Sequence, residues 1–91
     1  MNFGEAIKAL KDGEHVYRKG WNGKAIFIAL KKGEYLDTPN NRFDKVMTHD
    51  FIYIDTTGLQ TDNLDAPKDR VPWLASQTDM LADDWEVVGR D

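Results

Sequence analysis

Pro72-Trp73-Leu74-Ala75-Ser76-Gln77-Thr78-Asp79-Met80-Leu81-Ala82-Asp83-Asp84-Trp85-Glu86-Val87-Val88 places a helix start, a helix exit and a strand in one short run of chain. The Ser76 hydroxyl suits an N-cap because it can accept from an amide of the first helical turn. Asp79 stands where its carboxylate can accept from the amide of the cap, closing a capping box. Asp83 and Asp84 then read as solvated residues at the helix exit, and residues 85–88 as a last strand. Trp85 fits a strand core face. Trp73 follows a proline in an irregular segment and falls on no periodic apolar face.

Outward from this stretch, the other elements are short. Asn2 and Glu5 form a second capping box, and Phe3, Ala6, Ile7 and Leu10 make one helical apolar face. Gly13 is the expected stop, so the spacing predicts a helix over residues 3–12. Residues 14–18 read as a strand, with His15 and Tyr17 on one face and Val16 on the other. Lys19-Gly20-Trp21-Asn22-Gly23 is a turn. Residues 24–31 form a second strand whose nearly continuous apolar run suggests burial on both faces, one of them at a subunit contact. Residues 36–49 are polar and read as a loop, residues 51–55 as a third strand, and residues 56–70 as a turn-rich, charged excursion. The expected architecture is α+β: one domain over residues 1–91, with a small antiparallel sheet, an N-terminal helix and a short C-terminal helix.

Bulk properties narrow the function. A chain of 91 residues buries only about two-thirds of its unfolded surface, so a subunit interface would help it. The net charge is -4 and the twelve Lys and Arg are scattered, without the basic stripe of a DNA or RNA binder. Cysteine is absent, which removes disulfides and thiolate metal sites. No apolar run is long enough for a membrane span, and no signal-peptide h-region opens the chain. A cytoplasmic protein is the expectation.

Catalytic patterns are weak. His15 and His49 sit in no nucleophile elbow, zinc helix or other catalytic frame, and no cofactor motif appears. Asp79, Asp83, Asp84 and Glu86 lack the calcium-loop pattern and its central glycine, so no metal is expected. Arg18, Lys19 and Lys24 flank a glycine turn whose amides could hold an anion, but a tight hairpin with solvated lysines is the leading explanation. Trp21 and Trp73 are less easily dismissed. Aromatic faces on loops stack nucleobases or anchor protein partners. The residues alone leave ring binding and simple packing evenly matched.

Two blocks bring a family into view. Met1-Asn2-Phe3-Gly4-Glu5-Ala6 with Arg18-Lys19-Gly20-Trp21-Asn22-Gly23 resembles the opening of the phage type-2 Thoeris anti-defence proteins. The block from Pro72 to Trp85 resembles their end. Nothing matches between Leu36 and Arg70. The resemblance implies a phage-encoded sponge, not an enzyme, working in the host cytoplasm. It would bind a cyclic nucleotide immune signal intact, notably glycocyclic ADP-ribose made by TIR-domain enzymes and in some relatives cyclic dinucleotides. It also implies a homotetramer with ligand sites between protomers.

On the matched blocks, Trp21 and Trp73 become stacking or wall residues, with Phe27 as a further wall. Arg18, Asn22, Ser76 and Gln77 become polar contacts to phosphate, ribose or base. Asp79 becomes an acceptor from a ribose hydroxyl or base amine, with capping its stronger role. The acidic net charge opposes an anionic ligand unless local cations and amides outweigh it. The alternative is a protein-interaction module anchored by exposed Trp21 and Trp73. A signal-cleaving phosphodiesterase would need a metal or base that the sequence does not display.

Overall fold

A computed structural model describes residues 1–21, 24–36 and 45–89. Their order is α1 (Phe3–Lys11), β1 (Val16–Arg18), β2 (Phe27–Lys31), β3 (Phe51–Asp55), β4 (Arg70–Pro72), α2 (Gln77–Met80) and β5 (Trp85–Val87). The strands form one sheet of order β4-β3-β2-β1-β5, and every pair is antiparallel. The α+β expectation stands.

Both capping boxes form. Asn2 Oδ1 accepts from the Glu5 amide at 2.8 Å, and Glu5 Oε1 accepts from the Asn2 amide at 3.0 Å. Glu5 in the first turn and Lys8 and Lys11 in the last oppose the partial charges of the helix ends. Gly13 then turns the chain at φ 88°, a conformation that strains any residue bearing a Cβ. In α2, Ser76 Oγ accepts from the Asp79 amide at 3.1 Å, and Asp79 Oδ2 accepts from the Ser76 amide at 3.1 Å.

The helix α1 packs against β1, β2 and β5. Its buried Ala6, Ala9 and Leu10 meet Val16, Ile28, Trp85 and Val87. The register explains this side: Val16 pairs with both Ile28 and Val87, so all three project to the helix face. By the same alternation Tyr17, Phe27, Ala29, Tyr53 and Asp55 share the opposite face.

Several expectations need correction. The second strand starts at Phe27, not residue 24, because Ala25 takes φ 65° and breaks the extended backbone. Burial on both of its faces is real at the centre, where Ile28 and Ala29 are 0% and 2% exposed within one chain. The charged excursion ends in an unexpected strand, β4, where Val71 pairs with Ile54 and Pro72 with Tyr53. Pro72 is tolerated because β4 lies at the sheet edge. Asp84 is not a free solvated residue. Its carboxylate accepts from Arg18 Nε and from the Gly20 amide, both at 2.8 Å. A Cβ at Gly20 would stand 2.8 Å from that carboxylate, so the glycine permits the close approach.

Candidate functional site

The chain end of β1 starts the site. Arg18 donates through Nε to Asp84 at 2.8 Å and through Nη1 to Asp79 at 2.9 Å. Two carboxylates therefore hold one half-buried guanidinium, tying β1 to α2 and to the segment before β5. The pairing with Asp84, then that with Asp79, raises the Arg18 pKa, and the Arg18 bond in turn holds Asp84 below the usual carboxylate range. Burial pushes Asp79 upward, but bonds from Ser76 and Arg18 outweigh it, and its pKa falls.

Beyond Arg18 the chain delivers Trp21 into an aromatic cluster. Trp85, fully buried, is its centre. Trp21 meets Trp73 at 6.5 Å, Trp73 meets Trp85 at 6.1 Å, and Phe3 meets Trp85 at 5.5 Å. Edge-on and tilted geometries of this kind suit the ring quadrupoles. Trp85 Nε1 donates to the Asp79 carbonyl at 3.0 Å, which satisfies the buried indole. Trp21 and Trp73 therefore pack against the core, although neither falls on a periodic apolar face of the sequence.

Beside Trp21 opens a cleft of about 740 Å³, between the turn after β1, the approach to β2, the turn after β3 and the start of β4. Its walls include Tyr17, Trp21 and Phe27. Phe27 is stiffened from behind, since His15 lies flat on it at 4.5 Å with the planes 1° apart. The lining carries Arg18, Lys19, Lys24 and Arg70 against one carboxylate, Asp55. Three of the four cations are already paired, Arg18 with Asp79 and Asp84, Lys19 with Glu86 and Arg70 with Asp55. Basic side chains are thus gathered at the cleft but largely matched by carboxylates. Lys19 pairs with Glu86 at 3.1 Å, which holds Glu86 below its usual range. The exposure of Lys19 means that solvent screens this pair.

Of the residues marked in the sequence, Arg18, Trp21 and Phe27 line the cleft. Trp73 is not in the lining but packs against Trp21. Ser76 and Asp79 are engaged with each other at α2, and Gln77 is the exposed first residue of that helix. Asn22 lies outside the described residues.

Sequence reasoning missed Asp55 and Arg70. A carboxylate ending the apolar run Phe51-Ile52-Tyr53-Ile54 was the available signal for Asp55. Arg70 was hidden by the charged neighbours Lys68 and Asp69, which also masked the strand. Among the described residues, no three His, Cys, Asp or Glu side chains cluster as metal ligands, and no helix is long and apolar enough to cross a membrane.

A small α+β domain with an aromatic-walled cleft lined by basic side chains, beside an antiparallel sheet, is the class that fold and site define. The chain belongs to the family of the Thoeris anti-defense 2-like domain, which it matches over residues 1–88. It is similar to Thoeris anti-defense 2 of Bacillus phage SP01, with 37% identity over 100 aligned residues that cover 97% of this chain and 94% of that protein.

Proposed function

We propose that this chain counters host defence as a sponge: it binds a cyclic nucleotide immune signal and withholds it, uncleaved, from the host effector. The signal is a glycocyclic ADP-ribose made by TIR-domain enzymes, with cyclic dinucleotides as a second class. The protein acts without catalysis, in the host cytoplasm. One observation carries the reading: a cleft of ligand-sized volume combines aromatic walls at Tyr17, Trp21 and Phe27 with the basic side chains Lys24 and Arg70, the latter bonded to Asp55 through Nε alone. Family membership supports the anti-defence direction.

The chemistry suits such a ligand. An adenine needs a flat apolar face, phosphates need cations and amides, and ribose hydroxyls need acceptors. A sponge competes with a receptor for scarce signal, so nanomolar affinity, about -12 kcal/mol, is required. Preorganised walls reduce the ordering cost that would subtract from it. Assembly into a homotetramer, with protomers completing one another's sites, would extend that preorganisation. The exposed Leu74 and Leu81 beside α2, at 91% and 80%, are apolar surface suited to a protomer contact. The competing interaction-module reading needs Trp21 and Trp73 as exposed anchors, and both are half-buried against other rings.

Isothermal titration with glycocyclic ADP-ribose isomers and cyclic dinucleotides tests the proposal. Saturable nanomolar binding of one of them is expected. Absence of binding across the panel would transfer the reading to a protein partner.

A further inference from the structure

Asp55 and Arg70 stand opposite each other at the paired ends of β3 and β4, and their surroundings differ sharply. The Asp55 side chain is 2% exposed and that of Arg70 67%. A buried carboxylate must be compensated by hydrogen bonds. Asp55 Oδ1 accepts from the Thr57 amide at 2.8 Å and from Thr57 Oγ1 at 2.6 Å, while Oδ2 accepts from Arg70 Nε at 2.7 Å. These bonds, led by the Thr57 hydroxyl, hold the acid ionised against its burial. Asp55 is thus a fixed anchor that takes Arg70 by its inner nitrogen.

The consequence lies at the other end of the guanidinium. The Nη1 and Nη2 edge carries four N–H donors in one plane, and the bond through Nε does not use them. Arg70 lines the cleft. The other cations there are less suited to grip a phosphate. Arg18 is engaged through both Nε and Nη1 by two carboxylates, and Lys19 and Lys24 are point charges without a planar fork.

We propose that Arg70 is the phosphate-gripping residue of the cleft, presenting its Nη1–Nη2 edge bidentately to a phosphate or pyrophosphate group, with Asp55 as the positioning residue that aims it. This deepens the proposed function and rests on its reading of the cleft as the signal site. The ligand chemistry is that of a phosphoanhydride or phosphodiester. Free inorganic anions and nucleotides share it, and separate experimental arms distinguish them.

The test titrates the full chain with inorganic pyrophosphate while the arginine Nε–Hε resonances are followed by NMR. The Arg70 resonance is expected to move saturably. Arg70→Lys, which keeps the charge but removes the fork, should weaken binding about tenfold while the chain stays folded, as a melt on the same variant checks. Asp55→Asn should also weaken binding and broaden the Arg70 resonance. If that variant does not fold, Arg70→Lys alone decides for the fork. A stationary Arg70 resonance, wild-type affinity in Arg70→Lys, or no saturable pyrophosphate binding would overturn the inference. A second arm with the cyclic nucleotides separates the two claims. Pyrophosphate held at Arg70 without nucleotide binding keeps the inference and overturns the sponge. Nucleotide binding indifferent to Arg70→Lys does the opposite.

Discussion

Trp21 meets Trp85 edge to face, with ring centroids 5.4 Å apart and planes at 81°. Trp85 is the fully buried centre of the core, while Trp21 lines the cleft. The cleft wall is therefore a continuation of the core. A ring held this way is ordered before any ligand arrives, which lowers the cost of binding.

The two outer tryptophans should separate in their effects. Trp21→Ala removes a wall and should cost about 1–3 kcal/mol of nucleotide affinity. Trp73→Ala should mainly lower stability, by about 2 kcal/mol, below the full-burial range because the ring is half-exposed. Titration and denaturant melts on both variants check this. Ligand lost in Trp73→Ala with an unchanged melt would instead give Trp73 a direct contact.

Acid should unfold the protein through its paired carboxylates. Asp55, Asp79, Asp84 and Glu86 all have folded pKa values below their ordinary ones. The unfolded chain therefore binds protons first as pH falls. Their contribution is present above the ordinary carboxylate range and is lost as pH drops through it and on through the folded values. Melting temperature should be level near neutrality and fall below about pH 5. Arg18→Met should lower the neutral plateau and flatten the acid limb, because Asp79 and Asp84 lose their shared partner. An acid limb unchanged in that variant would remove the pair from the explanation.

Ala25 holds φ 65° at the cleft wall, in the left-handed region where a Cβ is strained. Relieving it with Ala25→Gly should raise stability by about 1 kcal/mol, net of the extra freedom glycine gives the unfolded chain. Chemical denaturation measures this directly. A destabilised variant would mean that the side chain makes contacts worth more than the strain.

The helices were legible because capping chemistry is local: Asn2 with Glu5 and Ser76 with Asp79 are each decided within four residues. The strand at residues 51–55 was legible from its alternation and its apolar density. What could not be read depends on distant partners. Asp84 looks like a solvated acid until β1 brings Arg18 and Gly20 to it. Arg70 looks like part of a charged loop until β3 pairs with it. Ala25 reads as strand from its apolar neighbours, yet its φ is 65°. At the site, turn chemistry pointed to Arg18 and Trp21, whereas the Asp55–Arg70 pair arises from cross-strand register alone.

The most direct test of the central claim is to mix the purified protein with the cyclic product of a TIR-domain enzyme, remove unbound nucleotide, denature by heat, and chromatograph what is released. Intact cyclic nucleotide, in stoichiometric amount and again able to activate the host effector, is the expected result. A linear or hydrolysed product would mean that the cleft destroys the signal, and an empty supernatant would mean that it never held one.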